Sequence, residues 1–365
     1  VDEEFAFADA EEDGEDLNTF LSESLIPKQV SPEEDLANKV KVTTEAGLRK
    51  VTSIIDVMED DEKLEFVIQD LLPDTGLMYV AGASGSGKTI LAIQVAGDII
   101  NGRGTLAWQL GPAWNENFKA LFLSLEMPKK ELQLRLHHMY PKLSDEERKA
   151  FMDRFLCYSD FEPLELWNPT HQLDLVLLIK EYGINLLLVD SASVSFASSL
   201  KNDEQVNESI KFLYKIRSRF NLAMIVVAHT RKPTIEMINN PENANINELF
   251  GHAGVGQSAS SVIMMMEDEA QRKKTIKSGD GTNVEKVMHM VNAKARFGAN
   301  AGAFKAKLTS KAAVDKGEPL MFRRDAIPIE MTEEQRRAIN KQLATDGIAD
   351  AFKGIDFGNL GGDEE

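Results

Sequence analysis

The chain of 365 residues contains one cysteine, Cys157. One thiol makes neither a disulfide framework nor a cysteine-ligated zinc module, which excludes the small stapled secreted domains and is compatible with a reducing compartment. Cys157 lies in the apolar run FLCY, which predicts a buried thiol. No apolar run approaches the roughly 18 residues that a membrane helix requires, and no secretory signal pattern opens the chain. The expectation is a cytoplasmic protein without membrane contact. Because the first residue is Val1, a processed or trimmed start is expected, with room for an upstream domain. An excess of positive charge is missing too: 41 Lys and Arg face 59 Asp and Glu, for a formal net charge of −18. That acidity is unevenly placed. Residues 1–36 carry −12 and residues 342–365 carry −5, leaving −1 for everything between. A neutral body can still hold a basic channel, so the total charge does not exclude nucleic acid as a partner.

What is present divides the chain into four parts. Residues 1–30 form an acidic tail without sustained periodicity and read as disordered. Residues 31–70 read as a helical linker, with helices over 33–40 and 44–58, the first opened by Ser31, Pro32 and Glu34 in capping positions. Residues 71–327 form the core. Residues 328–365 hold a short helix over 332–344 and an acidic tail. In the core, short apolar runs rich in branched residues at 77–81, 120–126, 185–190 and 222–229 alternate with helical stretches at 129–140, 173–182 and 204–219. That alternation predicts an α/β fold, a mostly parallel central sheet flanked by helices. Further strands are expected at 262–266, 286–294 and 303–308, the last two as an antiparallel hairpin.

The segment GASGSGKT, residues 82–89, fits G-x-x-x-x-G-K-[ST] between a strand pattern and a helix pattern. Glycines at 82, 85 and 87 let successive backbone N–H groups turn inward, so that Gly82, Ala83, Ser84, Gly85, Ser86 and Gly87 form a cradle for phosphates. Lys88 is placed to reach the β- and γ-phosphates, and Thr89 offers a hydroxyl to Mg²⁺. The helix from residue 90 points the positive end of its dipole at the same place. The expected ligands are ATP, or a close relative, and Mg²⁺.

Two carboxylates belong to this loop. Asp190 closes the third apolar run, where an acid can hold the metal's water shell, while Ser191 behind it reads as structural. Glu126 ends the run ALFLSLE at the carboxyl edge of the sheet, the edge where open α/β sheets bind ligands. A carboxylate there can orient and deprotonate an attacking water.

SLEMP (residues 124–128), followed by ELQLRL, resembles the catalytic-glutamate motif of the DnaB family of hexameric replicative helicases. Downstream, NAKARFGANAG (residues 292–302) resembles that family's K-x-R-N-G finger, whose lysine and arginine enter the neighbouring subunit's nucleotide site. The matching residues are Lys294 and Arg296, which an i, i+2 spacing places on one face of a strand. ELFGHAGVGQSAS (residues 248–260) resembles the loop with which the family grips single-stranded DNA. Phe250, Gly251 and Ala253 occupy its backbone-holding positions, although the family's arginine is Phe250 here and its glutamate is Gly251. His229, followed by TRKP, resembles the RepA-type single-domain plasmid helicases, where this residue senses the γ-phosphate.

The resemblance covers about residues 70–325. It implies a RecA-like P-loop ATPase core, DNA-stimulated ATP hydrolysis between subunits, a homo-oligomeric, hexameric ring, single-stranded DNA as track, and a phage or plasmid origin. Glu126, Lys88, Lys294, Arg296 and His229 would then be catalytic, with Thr89 and Asp190 on the metal. Phe352, Ile355, Phe357 and Leu360 are apolar anchors in the acidic carboxyl tail and suit docking to a replication partner such as a primase or polymerase. Two other readings share the core: a RecA-class recombinase that forms filaments on DNA, and a non-motor RecA-like switch or helicase loader.

Overall fold

The computed structural model describes residues 54–59, 63–159, 164–197, 202–230, 253–268, 285–297 and 303–324, with residues 244, 246, 249 and 273. Among these, nine strands form one sheet in the order β11-β10-β9-β8-β3-β7-β6-β4-β5. The parallel part comprises β3 (Leu77–Gly82), β4 (Ala120–Ser124), β5 (Phe155–Tyr158), β6 (Leu186–Asp190), β7 (Ala223–His229) and β8 (Ser261–Glu267). Antiparallel strands β9 (Lys286–Ala295), β10 (Phe304–Leu308) and β11 (Phe322–Arg324) extend it at one side. A two-stranded ribbon, β1 (Phe66–Ile68) with β2 (Leu72–Pro73), precedes it. This is the mostly parallel, helix-flanked α/β sheet expected from the sequence, with the antiparallel hairpin in place.

The central strands are apolar along their whole length because helices cover both faces. Every residue of β3, β4 and β6 is buried. Leu77, Tyr79 and Ala81 face the side covered by α5 (Pro169–Tyr182) and α7 (Asp203–Phe220). Met78 and Val80 face α2 (Lys88–Ile100) and α3 (Lys129–Met139), with Ala150 and Phe151 of α4 (Asp145–Arg154) packed against the same cluster. The strand carrying the phosphate loop therefore lies in the middle of the sheet, clamped between β7 and β8.

Several sequence expectations need correction. Cys157 is exposed, not buried. The run FLCY forms β5, the outermost parallel strand, where Phe155, Leu156 and Tyr158 are only partly buried and Cys157 is exposed because the strand has a neighbour on one side alone. The strand expected over 120–126 stops at Ser124, which puts Glu126 in the turn beyond it. Of the helix expected over 44–58, the described part is α1 (Ile54–Glu59), with Ile54, Ile55 and Met58 exposed. The helices expected at 33–40 and 332–344 and the two acidic tails lie outside the described residues. Strand β11 was not anticipated. It is held by Gln94 of α2, whose side-chain amide donates to the Phe322 carbonyl (2.9 Å) and accepts from its N–H (2.8 Å), both buried.

Candidate nucleotide site

The loop after β3 turns through Gly85 and Gly87, whose φ angles of 72° and 93° lie in the left-handed region that glycine adopts without strain. Gly87 has a second constraint: a Cβ there would lie 2.8 Å from Cζ of Phe322 on β11. Gly87 also caps α2, and no side chain caps that helix start. Its first backbone N–H groups therefore face the loop, as a phosphate cradle requires. Lys88 is buried, its Nζ donating to the Ala83 carbonyl at 2.9 Å. Burial, the largest influence, pushes its pKa below the usual lysine value. Lys286 at the start of β9 donates to the Gly85 carbonyl (2.9 Å) and lies 3.5 Å from Glu267, bracing the loop from outside.

Thr89 and Asp190 meet beside the loop, the threonine hydroxyl donating to Oδ2 at 2.7 Å. Asp190 Oδ1 is buried with no hydrogen-bond partner, and burial raises the carboxyl to about pKa 6. A buried carboxylate oxygen without a partner is costly unless a cation or proton meets it. The donor set suits Mg²⁺, which takes one or two protein oxygens and completes its shell from phosphates and water. Among the described residues no group of three His, Cys, Asp or Glu side chains is placed to hold a metal ion.

Glu126 reaches the same edge from the other side. The N–H groups of Leu125 and Glu126 both donate to the Asp190 carbonyl (2.9 and 3.2 Å), which locks this turn to the end of β6. Its Oε1 receives the hydroxyls of Ser191 and Ser193 (3.0 Å for Ser193) and lies 3.4 Å from His229 Nε2. The hydrogen bond from His229 is the strongest influence holding Glu126 well below the ordinary carboxylate range; burial opposes it, and the two serines add to it. Ser191 thus contacts Glu126 directly, a place the structural reading of that serine did not anticipate. Ser193 was missed altogether, since its contact depends on α6 (Ala192–Ser195) folding back beneath the turn.

The remaining sequence-predicted residues lie apart. Lys294 of β9 pairs across the sheet with Val262, at the amino end of β8, whereas Gly82 pairs with Met265. Lys294 and Arg296 therefore occupy the amino edge of the sheet, opposite the chain's own phosphate loop. Both side chains reach one carbonyl: Lys294 Nζ and Arg296 donate to Gln257 O at 3.0 and 2.9 Å. A bulge at Ala293 shifts the register between Val262 and Ile263, pairing resumes through Lys294 and Ala295, and Arg296 lies just past the strand. Phe297 fixes the turn by packing edge-on against Phe66, ring centroids 5.9 Å apart. Ala253 opens α8 (Ala253–Ser258), while Phe250 and Gly251 lie outside the described residues. His229 is tied toward that loop, because the next residue, Thr230, forms a β-bridge with Leu249.

Comparison with known proteins gives a family. Residues 43–234 match the family described as AAA domain, a span that includes Lys88, Glu126, Asp190 and His229 and stops short of Lys294 and Arg296. No curated protein matches the chain. Among solved structures, a KaiC-like protein from the hyperthermophilic archaeon Pyrococcus horikoshii OT3 is similar at 16% identity and a TM-score of 0.44, over 71% of this chain and 93% of that one. With the family match covering more than half of its length and laid over this phosphate loop, the chain belongs to the AAA domain family of P-loop ATPases.

Proposed function

We propose that the chain is a ring-forming, ATP-driven DNA helicase motor that hydrolyses ATP between subunits and translocates on single-stranded DNA. One observation carries this reading. Lys294 and Arg296 lie together at the sheet edge opposite the chain's own phosphate loop, both donating to the Gln257 carbonyl, which supports a role at the nucleotide of a neighbouring copy. The exposed apolar side chains of α1 (Ile54, Ile55, Met58) supply a surface that a neighbour would cover.

In this mechanism the loop amides and Lys88 hold the triphosphate, and Thr89 with Asp190 would hold the Mg²⁺. A cation held by those two residues would supply positive charge to offset that of the phosphates. Glu126, its Oε1 occupied by Ser191, Ser193 and His229, presents Oε2 to orient and deprotonate the attacking water. Lys294 and Arg296 of the next subunit stabilise charge on the transferred phosphoryl. His229 joins Glu126 to the bridge between Thr230 and Leu249, immediately before Phe250. A shift of His229 on hydrolysis would therefore move the loop carrying Phe250, Gly251 and Ala253, proposed to hold the DNA backbone through its amides and a stacked ring.

Displacement of a labelled strand from a forked duplex, with the Lys88→Ala variant as control, tests this reading. ATP-dependent displacement by closed rings in negative-stain images is expected. Helical filaments on DNA would instead mark a recombinase, and DNA-stimulated hydrolysis without displacement would mark a non-motor switch.

A further inference from the structure

Three cations gather where the amino edge of the sheet meets the carboxyl end of α8. Lys294 Nζ donates to the carbonyls of Gly256 and Gln257, both at 3.0 Å, and Arg296 donates to that of Gln257 at 2.9 Å. The next carbonyl, of Ser258, accepts from the Tyr214 hydroxyl at 3.3 Å. Over the Tyr214 ring, 4.1 Å from its centroid, lies the guanidinium of Arg217. Tyr214 and Arg217 are three apart on α7 and so share a helix face. In this way α7 brings a third cation to the same helix end as the Lys294–Arg296 pair.

Among the described residues, no carboxylate is paired with Lys294, Arg296 or Arg217; their partners are carbonyls and a ring face. The crowding is felt. Burial and then the charge of Arg296 push Lys294 below the usual lysine value. Burial is also the largest influence lowering Arg217, and Arg296 adds to it against the opposing pull of Tyr214. Like charges held together without a counter-charge are unfavourable, and an anion brought among them is bound correspondingly well. The chain's own nucleotide cannot be that anion. Three rungs of β8, about 10 Å at the usual strand rise, separate Val262 from Met265, and the phosphate loop starts beyond.

We propose that Arg217 is a third phosphate-binding cation, acting with Lys294 and Arg296 on the triphosphate held by the Lys88 loop of a neighbouring copy. This rests on the intersubunit site proposed above. Lys294 supplies a mobile point charge, while Arg296 and Arg217 supply planar forks that match phosphate oxygens two at a time. Stacking on Tyr214 orients the Arg217 fork before the phosphate arrives.

Hydrolysis by assembled Arg217→Ala protein, alone and mixed with Lys88→Ala subunits, tests the assignment, with Arg296→Ala and its own mixture in parallel. The expected result is a loss of about 10²-fold in turnover. Nucleotide affinity at the variant's own loop should be unchanged, and activity should partly return in the mixture. Undiminished turnover by Arg217→Ala overturns the assignment. Recovery in the Arg296→Ala mixture but not in the Arg217→Ala mixture also overturns it, and leaves the intersubunit site standing. Recovery in neither overturns the intersubunit site itself. Weaker binding of a single-stranded oligonucleotide with hydrolysis intact would assign Arg217 to DNA phosphates and so overturn the nucleotide assignment. Should the alanine variant fail to fold, Arg217→Gln keeps a planar group over Tyr214 and is held to the same outcomes.

Discussion

The Thr89 hydroxyl occupies one oxygen of Asp190 at 2.7 Å and leaves the other buried without a partner. In the ligand-free chain that carboxylate opposes folding. Its folded pKa of about 6 lies above the ordinary aspartate value of about 3.9. The folded state therefore holds the proton more tightly, and the associated stability is full below pH 4 and lost as pH rises through 6. Asp190→Asn should accordingly stabilise the metal-free, nucleotide-free protein at pH 7.5 by about 2 kcal/mol and have little effect at pH 4. Thermal melts in chelator at the two pH values check this. A destabilised variant at pH 7.5 would mean that Asp190 is compensated by a partner it does not have here.

Glu126→Gln should leave nucleotide affinity and assembly intact and lower turnover by about 10²–10⁴-fold, since the amide keeps the shape and loses the base. Binding of a fluorescent nucleotide beside steady-state hydrolysis separates the two effects. If affinity falls with turnover, the residue supports the phosphate loop and another group positions the water.

Gln94 is the one side chain that satisfies both main-chain groups of Phe322, and Phe322 in turn packs against Gly87. Gln94→Leu leaves a buried N–H and a buried C=O without partners, a loss of about 2–4 kcal/mol. Nucleotide affinity should drop with it, because the phosphate loop loses its backing. Urea unfolding and nucleotide titration check the pair. A variant that is destabilised yet binds nucleotide normally would uncouple β11 from the loop.

Much of this was readable from residue order, and the exceptions have physical reasons. Strands β3, β4 and β6 are buried on both faces, so they appear as unbroken apolar runs, and Asp190 stands out at the end of one. The phosphate loop is legible because its glycines, lysine and threonine are contiguous. The FLCY segment has the same apolar composition as a central strand, and composition does not reveal that β5 lies at the sheet edge with Cys157 exposed. Strand β11 buries only Phe322 while two arginines face outward, which gives no periodic signal. The contact of Phe322 with Gly87 joins residues far apart in the chain. The same holds for Ser191 and Ser193 on Glu126, and for the Tyr214–Arg217 pair at the carboxyl end of α8: each needs the turn or helix end in place before the side chains meet.

In the proposed ring, Arg296 serves a neighbour's nucleotide and not its own. Arg296→Ala should be nearly inactive, by about 10³-fold or more, while binding ATP through its intact loop. Lys88→Ala should be inactive because its own loop has lost the phosphate-binding lysine. Hydrolysis by mixed assemblies of these two variants, their mixing verified by mass, is the most direct measurement. Wherever the loop of an Arg296→Ala subunit faces the intact arginine of a Lys88→Ala subunit, one complete site forms, so the mixture should recover a substantial fraction of activity. A verified mixture no more active than its parts would contradict a site shared between subunits.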